Sequence, residues 1–199
     1  MTLQYRARVL EGAEREQARG IIRNHHYTGT VPSGKSHYIA CGTALVVWSI
    51  PANKNIARFV LGREGSVWEL ARLWAPDGHD RNLLTYAIAR AVPLLKSMEA
   101  PDALVSYADP SVGHEGGVYK AAGWLPHGTS AEGRAYRSNT TGAILPRRAF
   151  HSGGKSFTKA EIEGRGFTQI KLPGKQRYVR ALTKWARAAA VRSKTAVVK

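Results

Sequence analysis

Cysteine is almost absent: Cys41 stands alone in 199 residues. One thiol excludes an intrachain disulfide and any zinc site built from several cysteines. Nothing in the chain then requires an oxidising compartment, and a cytoplasmic address is expected. Long apolar runs are missing too. The longest stretch, Ala44 to Ile50, has the length of a strand, far short of the ~20 residues that cross a bilayer, so no membrane partner is expected. The opening MTLQYRARVLEGAERE has no uncharged apolar segment behind basic residues and does not read as a secretory signal. Internal repeats, heptads and low-complexity tracts are absent, as are the P-loop and G-x-G-x-x-G patterns.

Acidic residues are scarce. Fourteen Asp and Glu face 30 Lys and Arg, a net charge of +16 with a pI near 10.4. The excess is uneven. Residues 1–145 carry 16 basic and 12 acidic side chains, whereas residues 146–199 carry 14 and 2. The sequence therefore divides into a nearly balanced domain, 1–145, and a basic extension, 146–199, expected to pack on it. Such a field concentrates polyanions near the surface. Nucleic acid is the expected partner; a solubilising tail, or one that meets an acidic protein or membrane surface, is the plainer alternative.

The periodicities give a mixed α/β domain. Helical spacing runs from Glu11 to Asn24 and ends in the polar loop RNHHYTGTVPSGK. Strands are expected over Ser36–Ile50, Ile56–Leu61 and Val67–Trp74. APDGHDRN breaks the chain before a helix, Leu83–Ser97, which Asn82 or Asp80 would cap and Pro93 would kink. A buried strand, Ala103–Ala108, leads into Asp109-Pro110 and a short helix, His114–Ala122, with Gly123 at its end. WLPHG and RAYRS read as closing strands around a turn. In the extension, glycines at 153–154 and 164–166 are breaks; Tyr178–Leu182 reads as a strand, and Leu182, Trp185, Ala186 and Ala189 as one face of a basic helix.

Four groups of residues carry candidate chemistry. His25, His26 and Tyr27, with Ser33, Lys35 and His37, occupy a Gly/Pro loop where imidazoles serve as bases or metal ligands. A helix end with one solvated and one packed histidine is the alternative, and the sequence leaves open which of His25 and His26 faces a site. In SYADPSVGHEGGVY, the strand delivers Asp109 to its carboxyl end, followed by His114 and Tyr119. Ligands of open α/β sheets gather at such ends, and carboxylate, imidazole and phenol together suit acid–base work or a hard metal. Asp-Pro with glycines is equally ordinary turn chemistry. Arg72 lies among apolar neighbours in VWELARLW and calls for a carboxylate or an anionic substrate. Gly78, Arg81 and Asn82, before the helix at Leu83, suit a pyrophosphate or a plain helix cap. Beyond these, Arg147, Arg148, Lys155, Arg177, Arg180, Lys184 and Arg187 interleave with Phe150, Phe157, Phe167, Tyr178 and Trp185. That pattern suits phosphate contact with base stacking; alternatively the aromatics pack the extension onto the domain, as is expected of Trp185 and Phe167.

NHHYTGTVPSGKSHY, ELARLW, LVSYADPSVGHEGGVYKAAGW and GKQRYV follow one another in an order that resembles the phage Mom-type DNA-modification proteins, relatives of the GCN5-type N-acetyltransferases. The resemblance spans Ile21 to Leu182. It implies a GCN5-related acyltransferase-like α/β domain with a mixed central sheet flanked by helices. It implies double-stranded DNA as substrate, adenine N6 as target and a carbamoylmethyl-type (acetamido) adenine as product, protecting phage DNA from restriction in the bacterial host. By motif it implies catalytic roles for His26, Tyr27, Arg72, Asp109, Tyr119 and Ser106, with His114 a further match. It also implies iron, held by His26, Asp109 and Tyr119, and acetyl-CoA or another small group donor. PDGHDRNLL has one glycine where that superfamily has several, so the donor stays open. Lys35 joins the basic extension as a DNA contact. The oligomeric state is open, a homodimer included.

Two other classes stand beside this reading, because a fold does not dictate function. A basic DNA-binding protein without chemistry would bind in a salt-sensitive way through the extension. An N-acetyltransferase for a protein or small-molecule amine would bind acetyl-CoA tightly.

Overall fold

The computed structural model describes residues 4–152 and 154–197. They gather into two compact units: residues up to 108, 116–128 and from 177 onward in the first, 109–115 and 129–176 in the second. The boundary expected after residue 145 runs through the second unit, and the basic extension is shared between the two.

The first unit is built on a seven-stranded sheet. Its strands are β1 (Ala7–Leu10), β2 (Ser36–Cys41), β3 (Ala44–Ser49), β4 (Val67–Trp74), β5 (Ala103–Ala108), β6 (Leu125–Thr129) and β12 (Gln176–Ala181), in the order β1-β2-β3-β4-β5-β12-β6. Strands β1 to β4 pair antiparallel, whereas β4 and β5 are parallel. All six positions of β3 are buried, which is why its first five residues, ALVVW, are apolar instead of alternating. Helix α3 (Leu83–Glu99) covers one face; Ala87, Ile88, Ala91 and Leu95 meet Trp48, Trp68 and Leu104 there. Trp48 stacks on Trp124 with ring centroids 6.4 Å apart. On the other face, α1 (Gly12–His25) packs Ala18 and Ile22 against Tyr38, Leu45 and Val47. Beside it, α2 (Ile56–Leu61) and α6 (Lys184–Val197) cover Val67, Ala103, Val105 and Val179. Among the described residues no helix is long and apolar enough to cross a membrane.

Several sequence expectations change here. IARFVL is helix α2, not a strand. Its buried residues, Ile56, Ala57, Val60 and Leu61, follow a helical repeat, and Gly62 ends it in the left-handed region at φ 69°. Asn82 takes the N-cap position of α3 at φ 67° but makes no side-chain cap; the Leu83 N–H donates instead to the Asp80 carbonyl, 3.0 Å. The helix expected from His114 is shorter: a 3-10 turn at Pro110–Val112, then α4 (Gly117–Ala121). WLPHG and RAYRS do not pair with each other. The first supplies β6, next to β12, and the second supplies β7 (Gly133–Ser138) in another sheet.

The second unit has its own three-stranded sheet, in which β7 lies between β11 (Phe167–Leu172) and β8 (Ile144–Pro146), plus the small pair β9 (His151–Ser152) and β10 (Lys155–Ser156). Helix α5 (Lys159–Gly164) starts with a full capping box, Thr158 to Glu161. Its core holds Tyr136, Phe150 and Ile162 with Leu145, Phe157 and Phe167 around them. Of the two readings of these phenylalanines, packing is the one seen here, with Phe150 and Phe167 edge to face at 5.0 Å.

Helix α6 is pinned by a buried polar chain. The Ser193 hydroxyl donates to the Val60 carbonyl, 2.7 Å, and lies 2.9 Å from Nε2 of fully buried His127. Burial lowers the His127 pKa, and the nearby Arg177 charge adds to this. The unfolded chain thus takes up a proton near the ordinary value before the folded one does. The stability this neutral ring contributes is present above about pH 6.5 and is lost as pH falls through the folded value. Melting temperature is expected to fall between pH 7.5 and 5 more steeply in the wild type than in His127→Gln. Each kcal/mol lost shifts it by about 2–4 °C. Equal slopes would remove His127 from this role.

Candidate active site

The loop after α1 is fixed from two sides. His26 is the C-cap, its N–H donating to the Ile22 carbonyl, and extended backbone angles turn the chain there. Its imidazole is buried. Nδ1 accepts the Thr28 N–H at 3.2 Å and lies 2.9 Å from the Thr28 hydroxyl. A neutral ring with Nδ1 as acceptor keeps its proton on Nε2. Tyr27 is about half exposed, its ring 4.5 Å from that of His26. His25 is exposed beside Trp74, ring centroids 6.0 Å apart.

Arg72 provides the second anchor. On β4 it donates Nε to the Thr30 carbonyl at 2.8 Å, Nη2 to the Thr30 hydroxyl at 2.9 Å and Nη1 to the Ala71 carbonyl at 2.6 Å. Three of its five N–H donors thus hold the loop and its own strand. Thr28 and Thr30 are the residues that sequence reasoning passed over; the only signal was two threonines spaced within the TGT step after His26-Tyr27.

Two features open the sheet next to Arg72. The register of β3 against β4 slips between Val47 and Trp48, which pair with Arg72 and Leu70, so Ala71 is left as a bulge. The parallel pair β4–β5 is in register at Val67, Trp68 and Glu69 with Ala103, Leu104 and Val105, and no further pair follows although both strands continue. The strands part there as a wedge. Ser106 closes its first rung, donating from a buried hydroxyl to the Leu70 carbonyl at 2.9 Å.

Tyr119 lies on α4 with the Ser106 hydroxyl beside it. Its ring packs against Trp124 and Tyr178, centroids at 5.7 and 5.2 Å. Burial raises the phenol's pKa, and the Glu69 carboxylate, also missed in the sequence, raises it further. Tyr119 therefore keeps its proton at neutral pH and can donate it. Gly116, at φ 73°, lies so close to the Tyr178 ring that no Cβ fits between them.

Asp109 belongs to the second unit. Its Oδ1 accepts the Ser111 N–H at 3.1 Å and the Ser111 hydroxyl at 2.5 Å, and its Oδ2 is 2.7 Å from Lys175 Nζ. Burial works to raise the carboxyl's pKa, but Lys175 and Ser111 outweigh it and hold Asp109 below the usual carboxylate range. It stays ionised, and a carboxylate with a lowered pKa is a weak base. His114 is exposed, its N–H on the Asp109 carbonyl at 3.1 Å.

The iron expectation gains no support. Among the described residues no three His, Cys, Asp or Glu side chains converge. Of the implied ligands, Asp109 is held by an ammonium and a serine, and Tyr119 is packed between Trp124 and Tyr178. These residues do not fit a metal as they stand.

Gly78, Arg81 and Asn82 are exposed around the amino end of α3. Gly78 is at φ 76° with open space about it, and Asn82 leaves the helix end without a side-chain cap. The candidate DNA contacts divide. Lys155, Lys184 and Arg187 are exposed and Arg180 is half-buried. Lys35 pairs with Glu99 at 2.7 Å, a carboxylate that His37 also meets. Arg147 donates to the Phe157 carbonyl. Arg177 is buried, 4.3 Å from the Phe59 ring centre, with Nη1 on the His127 carbonyl at 3.3 Å. The Arg148 side chain lies outside the described residues. Of the aromatics, Tyr178 is in the core and Trp185, on α6, packs against the cluster under α2, its indole N–H on Asp102 at 3.2 Å.

The model of the Mom protein family matches residues 8–197. No curated protein sequence matches significantly. Among solved structures, Arabidopsis thaliana NAA60 in complex with acetyl-CoA is 10% identical over 90% of this chain and 99% of that one, with a TM-score of 0.51. A Bacillus subtilis acetyltransferase in complex with CoA is 11% identical over 90% and 100%, with a TM-score of 0.46. FeeM, an N-acyl amino acid synthase from uncultured soil microbes, is 13% identical over 98% and 99%, also at 0.46. The fold expected from the sequence, an acyltransferase-like mixed sheet flanked by helices, is the one observed.

Proposed function

Because this chain belongs to the Mom protein family, we propose that it is a transferase that converts adenine N6 in double-stranded DNA to a carbamoylmethyl-type adenine and so shields phage DNA from restriction in the host cytoplasm. The observation that carries this reading is the wedge between β4 and β5, to which the Ser106–Tyr119 pair and the Arg72-held His26-Tyr27 loop are both attached.

In a duplex the adenine amine is paired, so the base must leave the stack to react. The exposed ring of Tyr27 offers it a stacking surface, with His26 behind. Arg72 acts as a positioning residue, since it fixes the loop through Thr30. The protonated phenol of Tyr119 donates to charge that develops as the group is transferred. The transferred group is a two-carbon amide joined to N6 through its methylene, and N6 would give up one proton. A donor bearing phosphates, as CoA does, would carry that amide with a leaving group on the methylene carbon. The open backbone at Gly78, the Arg81 side chain and the uncapped end of α3 fit its phosphates. Exposed Lys155, Lys184 and Arg187 would meet the DNA backbone.

Mass spectrometry of nucleosides from plasmid DNA tests this directly. Cells expressing the wild type are expected to yield a new adenosine mass that is absent with an empty vector, and its added mass identifies the group. The charge of +16 favours a second reading, DNA binding without chemistry. Unmodified DNA from cells rich in folded protein that binds DNA would favour that reading instead.

A further inference from the structure

In the stretch Gly174–Val179 (GKQRYV), Lys175 is the neighbour of Asp109. The local structure is built around that contact. The Lys175 N–H donates to the Ser130 hydroxyl and the Ser130 N–H to the Lys175 carbonyl, both at 2.9 Å. Gly174 lies against the Ser130 carbonyl so tightly that any Cβ would collide with backbone. A glycine is therefore needed one residue before the lysine to bring the two segments together. From the other side, the Asp109 carbonyl accepts the N–H groups of Val112 and His114, at 3.3 and 3.1 Å, and its carboxylate accepts twice from Ser111. Carboxylate and ammonium are thus each held by their own backbone before they meet at 2.7 Å.

This arrangement bears on what Asp109 does. A carboxylate that ligates iron presents its oxygens to the cation, and an ammonium at hydrogen-bond distance would sit in the metal's place and repel it. We propose that Lys175 is the positioning residue of Asp109, and that their fixed ion pair takes the place of the metal-bound carboxylate that the family resemblance implies. Asp109 then acts as an oriented anion, neither a metal ligand nor a proton acceptor. The activity part of this proposal rests on the function proposed above; the pairing and the metal part do not.

The test uses the full chain as wild type, Lys175→Met, Lys175→Arg, Asp109→Asn and the double variant Asp109→Asn/Lys175→Met. Melting temperatures of the first, second, fourth and fifth form a cycle. The double variant is expected to lose clearly less than the sum of the single losses; strict additivity would overturn the pairing. Each protein is also incubated with ferrous iron without oxygen, desalted and assayed for metal. Asp109→Asn and the wild type are expected to retain the same amount, and loss of iron from Asp109→Asn alone would overturn the metal part. In the nucleoside assay Lys175→Met is expected to lower the modified fraction by about 100-fold, the scale of a displaced group. Lys175→Arg restores most of it, since the charge is kept. Full activity in Lys175→Met would overturn the positioning role. An inactive wild type would count against the proposed function, while the melting cycle and the iron assay would still decide the pair.

Discussion

Tyr119→Phe is expected to lower the modified adenosine recovered from plasmid DNA by about 10²–10⁴-fold, the range for loss of a placed proton donor, with the protein still folded. The substitution removes one hydroxyl and keeps the ring that packs on Trp124 and Tyr178. Ser106 retains its own bond to the Leu70 carbonyl, so no new buried donor is stranded on β5. The cost in stability is therefore small, about 1 kcal/mol. The result is read by nucleoside mass spectrometry beside a thermal melt. Wild-type yield from the phenylalanine variant would dismiss Tyr119 as the donor. A yield that falls in step with the melting temperature would make it a packing residue only.

A large loss of stability from a single added carbon is expected at Gly116→Ala. The backbone there is left-handed, at φ 73°, and the new Cβ would enter the Tyr178 ring. That ring is in the main core and has no room to retreat. Overpacking costs about 1–3 kcal/mol, and the left-handed conformation about 1–2 more for a residue with a Cβ. For a chain of this size the melting temperature falls by roughly 4–20 °C. Gly117→Ala is the control: it starts α4, has an ordinary φ and meets nothing within 4 Å. Equal melting temperatures for the two variants would deny the close contact between Gly116 and Tyr178.

What could be read in advance follows from how far each signal reaches along the chain. Helices α1 and α3 and strands β3 and β5 were legible because their burial repeats lie within one segment. Six residues are too few to separate periods by eye, and β-branched or aromatic content pulled IARFVL toward a strand although its buried set is helical. Strand β1 has only one buried residue and gave no signal. Among the candidate site residues, His26, Tyr27, Arg72 and Tyr119 were singled out by residue type and motif, but their partners were not. Thr30 is 42 residues from Arg72, and Lys175 is 66 from Asp109. Neither spacing leaves a trace in a single sequence. The basic extension was legible as charge, yet charge does not tell a buried Arg177 from an exposed Arg187.

The sheet order carries a consequence for how the chain is made. Strand β12 lies between β5 and β6, yet 67 residues separate Ala108 from Gln176. A ribosome adding about 5–20 residues per second delivers that stretch in roughly 3–13 s. For those seconds β5 has no neighbour on one side, and its open edge carries Leu104 and Val105, both destined for the core. An unpaired apolar edge is a template for other chains. Synthesis rate and chaperone supply should therefore govern how much of this protein reaches the folded state.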